Sequence, residues 1–171
     1  MDSARAQLAL QKIGYTLLHL QTTERVIKLV MQTAMPSEKE LFASLTERIS
    51  SKDMERPLGP FLTELRKRAS LHADFDALLR RFLINRNIFI HEISQSEGWS
   101  LKTESGLNVI EKQISELLTD SEHVRTHFKA LLHSWKIQGE MPTTEDEHEA
   151  FQAISGKYEG GVLSRNWGAK A

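Results

Sequence analysis

The stretch "FLINRNIFIHEI", residues 82–93, is almost entirely apolar but carries Arg86, Asn87 and His91 in its middle. It belongs to a segment whose apolar residues recur every three to four positions, which predicts one helix from about Ala73 to Ser94. The apolar stripe of this helix consists of Phe75, Leu78, Leu79, Phe82, Leu83, Phe89, Ile90 and Ile93. Arg86 falls near the centre of that stripe, so the sequence predicts a positive charge on the core side of the helix.

The same helix has a second apolar face. Ile84 and Ile88 point away from the core stripe, close to His91, and Asn87 lies one turn below His91. A helix with two apolar faces is either wholly interior, or it packs its own bundle on one side and a partner on the other. In a chain of only 171 residues we expect the second arrangement. The sequence therefore predicts a homodimer interface at Ile84 and Ile88.

Helical periodicity extends over most of the remaining chain. It predicts four helices, from about Ser3 to Ala34, Ser37 to Ser50, Phe61 to Ala69 and Leu107 to Ile137. A further short helix is predicted from about Thr144, which caps it, to Ile154. Packing of helix against helix is the only layer architecture open to these elements. We predict an all-α bundle of four to five helices over residues 1–140, with the helix of residues 82–93 at its centre. Residues 141–171 would form a short helix and a C-terminal tail.

An acidic residue interrupts the apolar stripe of the first helix. That stripe consists of Ile13, Leu17, Leu20, Ile27 and Met31, and Glu24 stands where an apolar residue is expected. An Arg on an apolar stripe can reach water along its own side chain, but an unpaired buried charge is costly. One acidic and one basic interruption on two core stripes therefore predict a mutual ion pair between Glu24 and Arg86.

Composition excludes several classes of protein and site. Lys and Arg number 22 and Asp and Glu 23, so the whole chain has no electrostatic bias toward nucleic acid or an anionic membrane. Cysteine is absent, which excludes disulfides, thiolate metal sites and thiol nucleophiles. The N-terminus lacks the pattern of a signal peptide, and no run approaches the roughly 18 apolar residues of a membrane span. We expect a cytoplasmic protein.

The segment "RNIFIH", residues 86–91, reads Arg, polar residue, three apolar residues, His. It resembles the motif of the HEPN superfamily of helical-bundle ribonucleases, an Arg followed by four to six residues and a His, commonly with Asn, Asp or His after the Arg. The resemblance extends over about residues 1–138, because the first long helix also carries an acidic position and the motif lies near the end of the third long helix. At Ile93 the chain departs from the HepT-like branch, which usually has Tyr there, so no AMP-accepting tyrosine or nucleotidyltransferase partner is implied.

The resemblance implies a metal-independent endoribonuclease that needs no cofactor and dimerises through the motif helix. Such proteins are often toxins of toxin-antitoxin pairs or effectors of phage defence, which adds an antitoxin or a defence protein to RNA as a partner. In that role His91 would transfer protons, Arg86 would bind the phosphate, and Asn87 would orient His91 or bind a phosphate oxygen. Residues five apart on an α-helix diverge by about 140°. A two-fold axis near the motif would therefore join two copies of each residue in one cleft.

A basic segment lies near the motif. It includes Arg66, Lys67, Arg68, Arg80 and Arg81. Arg80 and Arg81 are candidates for contacts with an RNA backbone, although a solvated charged face explains the pattern as well.

Two further patterns of residues could form a site. His123 and His127 are four residues apart on a predicted helix and could hold two corners of a zinc site, but no third ligand follows at a suitable spacing, so we predict no metal site. Trp99, Trp135 and Trp167 could stack on bases, although packing explains the first two better.

The sequence leaves two other functions open. One is a HEPN module that binds RNA or regulates without cleaving it, and the other is a purely structural helical interaction protein.

Overall fold

The computed structural model describes residues 3–34, 57–68, 70–155 and 163–164. Its α-helices are α1 (Ser3–Ala34), α2 (Leu58–Arg68), α3 (Ala73–Asn87), α4 (Glu104–Gln138) and α5 (Glu145–Ser155). Two strands of two residues each, β1 (Ser70–Leu71) and β2 (Leu163–Ser164), pair antiparallel. The described part of the chain is thus mostly helical, and the all-α prediction is confirmed there. The helix predicted over residues 37–50 lies outside the described residues.

The central helix is α4, not the motif helix, so that prediction was wrong. α4 contacts α1, α3 and α5. Its 35 residues extend for about 52 Å, whereas the 15 residues of α3 extend for about 22 Å. Its larger buried apolar side chains are Leu107, Ile110, Ile114, Leu117, Val124, Phe128 and Leu131. A helix of this length with buried residues along its whole extent supports the shorter helices on several sides.

Polar contacts show that α1 and α4 run parallel. The ammonium of Lys12 pairs with Glu111 at 3.2 Å, and the buried hydroxyl of Ser121 donates to that of Thr23 at 2.9 Å. The partners follow in the same order along both helices, which requires a parallel arrangement.

The motif helix α3 runs antiparallel to α4. The ring of Phe75 stacks on the ring of His127, with 4.5 Å between the centroids, and Arg81 pairs with Asp120. Here the order of the partners is reversed, since Phe75 precedes Arg81 while His127 follows Asp120. α1 and α3 therefore run antiparallel to each other.

The buried stripe of α1 differs from the predicted one at Leu17. That side chain is 38% exposed, whereas Thr16 is fully buried. The hydroxyl of Thr16 donates to the carbonyl oxygen of Lys12 at 2.7 Å, so its burial leaves no unsatisfied polar group. Hydrophobicity alone favours Leu17, but Thr16 lies directly in line with the buried Leu20 and Thr23 at helical spacing.

The predicted cap at Thr144 is confirmed. The Thr144 hydroxyl accepts from the backbone N–H of Glu147 at 3.3 Å, and the Glu147 carboxylate accepts from the backbone N–H of Thr144 at 3.1 Å. This reciprocal pair is a capping box. Lys136 of α4 donates to the same carboxylate at 2.7 Å, so the cap also attaches α5 to α4. No described helix combines the length and the apolar character needed to cross a membrane.

The loop before α4 approaches the helix closely at Gly106. The Thr103 hydroxyl caps α4 by accepting from the backbone N–H of Gly106 at 3.1 Å. A Cβ at Gly106 would lie 2.6 Å from the backbone nitrogen of Ser100 and closer still to its carbonyl oxygen. Because these are backbone atoms, no side-chain rotation would relieve the clash.

We expect Gly106→Ala to lower the free energy of unfolding by about 1–3 kcal/mol, the usual cost of overpacking. Urea denaturation followed by circular dichroism measures it. Gly139→Ala, at the other end of α4, is the matched control, because a Cβ there would meet nothing closer than 3.6 Å. Equal denaturation midpoints for the two variants would contradict the close approach.

Candidate functional site

The backbone changes from an α-helix to a π-helical turn within the motif. α3 ends at Asn87, a π-helical turn covers Ile88–Glu92, and a 3-10 turn covers Ile93–Gln95. The prediction of one continuous helix to Ser94 is thus corrected. A π-helical turn has one more residue in each hydrogen-bonded loop than an α-helix, and here no Pro or Gly in the sequence signals it. Such turns occur frequently at functional sites.

The π-helical turn changes the relation between Arg86 and His91. On an α-helix these two residues would diverge by about 140°. In a π-helical turn the hydrogen bond spans five residues instead of four, which draws residues five apart toward one face. The turn begins two residues after Arg86 and includes His91. Arg86 and His91 therefore diverge less than an unbroken α-helix would require.

The predicted ion pair between Arg86 and Glu24 is present. Nε of Arg86 donates to Oε1 of Glu24 at 2.7 Å, and Nη2 lies 2.5 Å from the same oxygen. The two side chains are only 17% and 13% exposed. The pair joins the end of α3 to the middle of α1. Loss of either partner would leave the other charge in a largely dry position.

Asn87 contacts Arg86. Its Oδ1 accepts from Nη1 of Arg86 at 2.9 Å. The guanidinium of Arg86 is thus held on two sides, by Glu24 and by Asn87. No hydrogen bond links Asn87 to His91 in the described part of the chain. Of the two roles considered for Asn87, orientation of His91 has no support in this geometry.

His91 lies at the surface, inside the π-helical turn. Its ring makes no hydrogen bond with any described residue, whereas Arg86 is fully oriented by its neighbours. An exposed imidazole with both ring nitrogens available can exchange protons with a bound molecule.

Lys28 also belongs to this cluster, and the sequence analysis missed it. It lies one turn after Glu24 on α1, is buried, and its ammonium lies 5.8 Å from the ring centroid of Phe61 in α2. Burial lowers the pKa of Lys28, the negative charge of Glu24 raises it, and the positive charge of Arg86 lowers it further, with a net decrease. Lys28 could have been identified from the sequence, because it is four residues after Glu24 and therefore lies beside it on the same helix face.

The cluster of Glu24, Lys28 and Arg86 contains two cations and one carboxylate. Glu24 lies between the two cations, since it pairs with Arg86 and its charge raises the pKa of Lys28. One turn further along α1, the buried amide of Gln32 has no hydrogen-bond partner among the described residues. The oriented guanidinium of Arg86, five residues before the exposed His91, suits an anionic ligand such as a phosphate.

Arg80 and Arg81, the candidates for RNA-backbone contacts, are paired with carboxylates. Arg81 binds both oxygens of Asp120, at 2.7 and 2.6 Å, and these hydrogen bonds raise the pKa of Arg81. Nε of Arg80 donates to Asp76 at 2.8 Å, and Arg66 donates to the same carboxylate at 2.6 Å. Their charges are largely compensated, so a phosphate would have to compete with Asp76 and Asp120.

The remaining candidates differ in their exposure. Ile84 is 58% exposed and Ile88 is half-buried. Within the described ranges no group of three or more His, Asp or Glu residues could hold a metal ion, and His127 is buried with its Nδ1 2.6 Å from the carbonyl oxygen of His123. Trp99 and Trp135 are half-buried, and Trp167 lies outside the described residues.

We expect Glu24→Gln to destabilise the fold more than Arg86→Gln does. The first change leaves Arg86 and Lys28 facing each other, while the second leaves Glu24 beside Lys28. Each should lower the free energy of unfolding by about 2–3 kcal/mol, and the double variant should lose less than the sum. Urea denaturation of the wild type, the two single variants and the double variant measures the coupling.

The exposed pair of Lys112 and Glu116, 3.9 Å apart, is the control. Glu116→Gln should change the free energy of unfolding by less than about 0.5 kcal/mol. Additive losses would contradict the coupling.

Asp76 predicts a pH-dependent contribution to stability. Burial alone would raise the pKa of Asp76, but hydrogen bonds from Arg66 and Arg80 outweigh it, so the pKa lies below its ordinary value. The two ion pairs therefore contribute stability above about pH 4, and this contribution is lost as the pH falls through the folded-state pKa. We expect Asp76→Asn to lower the free energy of unfolding by about 1 kcal/mol at pH 7. In urea denaturation from pH 7 to pH 3 the difference should shrink, and a constant difference would contradict this account.

Comparisons with models of known protein families, with curated proteins and with solved structures give no match to the chain. The resemblance to the HEPN superfamily therefore rests on residues of the chain itself: the Arg86 to His91 motif near the end of α3 and the acidic Glu24 on the long first helix.

Proposed function

We propose that the chain is a metal-independent endoribonuclease of the HEPN type. The observation that carries this proposal is the pairing of a fixed cation with a free proton-transfer group. Arg86 is held by Glu24 and Asn87, and His91 is exposed in the π-helical turn that follows. The residue types and their order are those of the HEPN motif.

The reaction uses the 2'-hydroxyl of RNA as its nucleophile. The 2'-oxygen forms a bond to the adjacent phosphorus, and the bond from phosphorus to the 5'-oxygen breaks. The 2'-hydroxyl loses a proton and the leaving 5'-oxygen gains one, so the products are a 2',3'-cyclic phosphate and a 5'-hydroxyl. Neutral His91 accepts the first proton, and a protonated His91 donates the second. Each such transfer contributes about 10²- to 10⁴-fold to the rate.

Arg86 is suited to the negative charge that develops on the phosphate. A guanidinium has five N–H donors, and the contacts with Glu24 and Asn87 use three of them. Two remain for phosphate oxygens. Because the guanidinium is already oriented, little conformational entropy is lost when the substrate binds.

Two copies of the chain would complete the site. One histidine cannot accept and donate protons on both sides of the phosphorus at once, whereas a homodimer with two His91 side chains supplies both roles. Ile84, exposed on the outward side of α3, is available for such a contact. The HEPN resemblance suggests toxin-antitoxin or phage-defence biology in the cytoplasm, with RNA as substrate and an antitoxin or defence protein as regulator.

We expect wild-type protein to cleave total RNA or tRNA in the presence of EDTA and to leave 2',3'-cyclic phosphate ends. His91→Ala should reduce the cleavage rate by about 10²- to 10⁴-fold, since it removes the proton-transfer group but no buried contact. Gel analysis and end-group chemistry measure both effects. His123→Ala is the matched control, because His123 is also an exposed helical histidine but lies on α4.

Two results of this assay would contradict the proposed ribonuclease activity. Equal cleavage by wild type and His91→Ala would indicate a contaminating nuclease. No cleavage by either, with RNA binding retained and no growth defect on expression, would replace the enzyme with a silent RNA-binding module.

A further inference from the structure

The side chain of His19 lies where α1 packs against α4, and it is only 9% exposed. Its Nε2 is buried and makes no hydrogen bond with any described residue. The nearest carboxylate oxygen, Oε1 of Glu122 on α4, lies 3.4 Å away but outside hydrogen-bonding geometry. A buried ring nitrogen without a partner is unfavourable and uncommon in folded proteins. His19 thus lacks a hydrogen bond although an acceptor is within reach of a small movement.

The carboxylate of Glu122 is already bound by Arg125. Nη2 of Arg125 lies 2.6 Å from each of the two carboxylate oxygens. Because a guanidinium stays charged at every accessible pH, Arg125 competes for this carboxylate whether or not His19 carries a proton. On α1 itself, one turn before His19, the ring of Tyr15 lies 6.1 Å from the imidazole ring. In the described part of the chain, Glu122 and Arg125 are the charged groups that act on His19.

A proton on His19 would place two cations beside one carboxylate. Burial disfavours the charged imidazole, the negative charge of Glu122 favours it, and the positive charge of Arg125 disfavours it. Burial is the largest of these influences, so the pKa of His19 lies below its ordinary value. The unfolded chain therefore takes up this proton at a higher pH than the folded chain does. Stability is unaffected above the unfolded-state pKa of about 6.5, and it is lost as the pH falls below that value.

We propose that His19, Glu122 and Arg125 form an acid-sensitive joint between α1 and α4, which holds at neutral pH and weakens between about pH 6.5 and pH 5. We call these three residues the His19 joint. Below neutral pH the imidazolium of one helix competes with the guanidinium of the other for a single carboxylate. The competition takes place where little water can screen it, since the His19 side chain is almost fully covered.

The His19 joint adjoins two contacts that hold α1 in place. Thr23, one turn after His19, accepts the buried hydrogen bond from Ser121, the residue next to Glu122. Glu24, which pairs with Arg86, follows His19 by five residues, or about 7 Å along the helix. Weakening of the joint would therefore reach the part of α1 that positions the candidate site. The joint itself does not depend on the proposed function, because it belongs to the folded chain without RNA.

Urea denaturation of the full chain at pH 7.5 and at pH 5.5 tests the His19 joint. The denaturation midpoint of wild type should fall by roughly 0.3 M or more beyond the fall seen for His19→Gln, which cannot take up the proton. Contributions from the other histidines are shared by both proteins and cancel in the difference. His123→Gln is the matched control, since it removes an exposed histidine next to Glu122, and its midpoint should fall as much as that of wild type.

Two variants of the partners should change the acid sensitivity in opposite directions. Arg125→Gln removes the competing cation and leaves Glu122 to the imidazolium, so the fall of the midpoint should shrink. Glu122→Gln removes the acceptor and leaves His19 facing Arg125, so the fall should grow. A purely packing role for His19 would produce neither change.

An NMR titration of the His19 ring in the folded wild type keeps the test decisive if a variant fails to fold. Its midpoint should lie below about 6.5. A midpoint at or above that value would overturn the His19 joint. Equal falls of the denaturation midpoint for wild type and His19→Gln would overturn it too, as would changes in the same direction for Arg125→Gln and Glu122→Gln.

Discussion

The ion pair between Glu24 and Arg86 is the constraint on which the arrangement of the candidate site depends. α1 and α3 both pack against α4, and this pair joins the middle of α1 directly to the end of α3. Both side chains are largely removed from water, so neither charge can be stable without the other. That mutual requirement explains why two apolar stripes each carry a charged residue. The pair also fixes the position along α1 at which the motif packs.

The same pair determines the electrostatics around the motif. Glu24 lies between Arg86, with which it pairs, and Lys28, whose pKa its negative charge raises. Full compensation, as Arg81 has with Asp120, stabilises the fold but leaves little attraction for an anion. Burial lowers the pKa of Lys28 by more than the negative charge of Glu24 raises it, and the positive charge of Arg86 lowers it further.

α1 has a different chemistry on each of its sides. Toward α4 it presents Lys12 and Thr23, which contact Glu111 and Ser121 of that helix. Toward α3 it presents Glu24, which pairs with Arg86. The third side faces solvent without a charge over four turns, with Gly14 in its middle. Within these four turns the charged residue is Lys12, so the neutrality of the third side reflects a stretch of α1 that is poor in charged residues.

The sequence by itself determined the features that depend on near neighbours in the chain. The bounds of α1 at Ser3 and Ala34, and the cap at Thr144, follow from helical periodicity and from side chains that bond to backbone groups three residues away. The pair of Glu24 and Arg86 was also predictable, although 62 positions separate its members. Each is a charge on an apolar stripe, and a buried charge requires a partner.

Only the tertiary structure decided which helix is central, which residues meet across helices and where α3 changes its hydrogen bonding. Hydrophobicity favoured Leu17 over Thr16, but burial depends on the direction from which α4 approaches α1, and no local pattern records that direction. The sequence does not show that Arg80 and Arg81 are paired with carboxylates. Asp76 is close enough in the chain to pair with either arginine, and Asp120, the partner of Arg81, lies 39 positions away. The π-helical turn at Ile88–Glu92 contains no Pro or Gly that would mark it in the sequence. Periodicity reports the faces of a single helix, whereas these features depend on the positions of its neighbours.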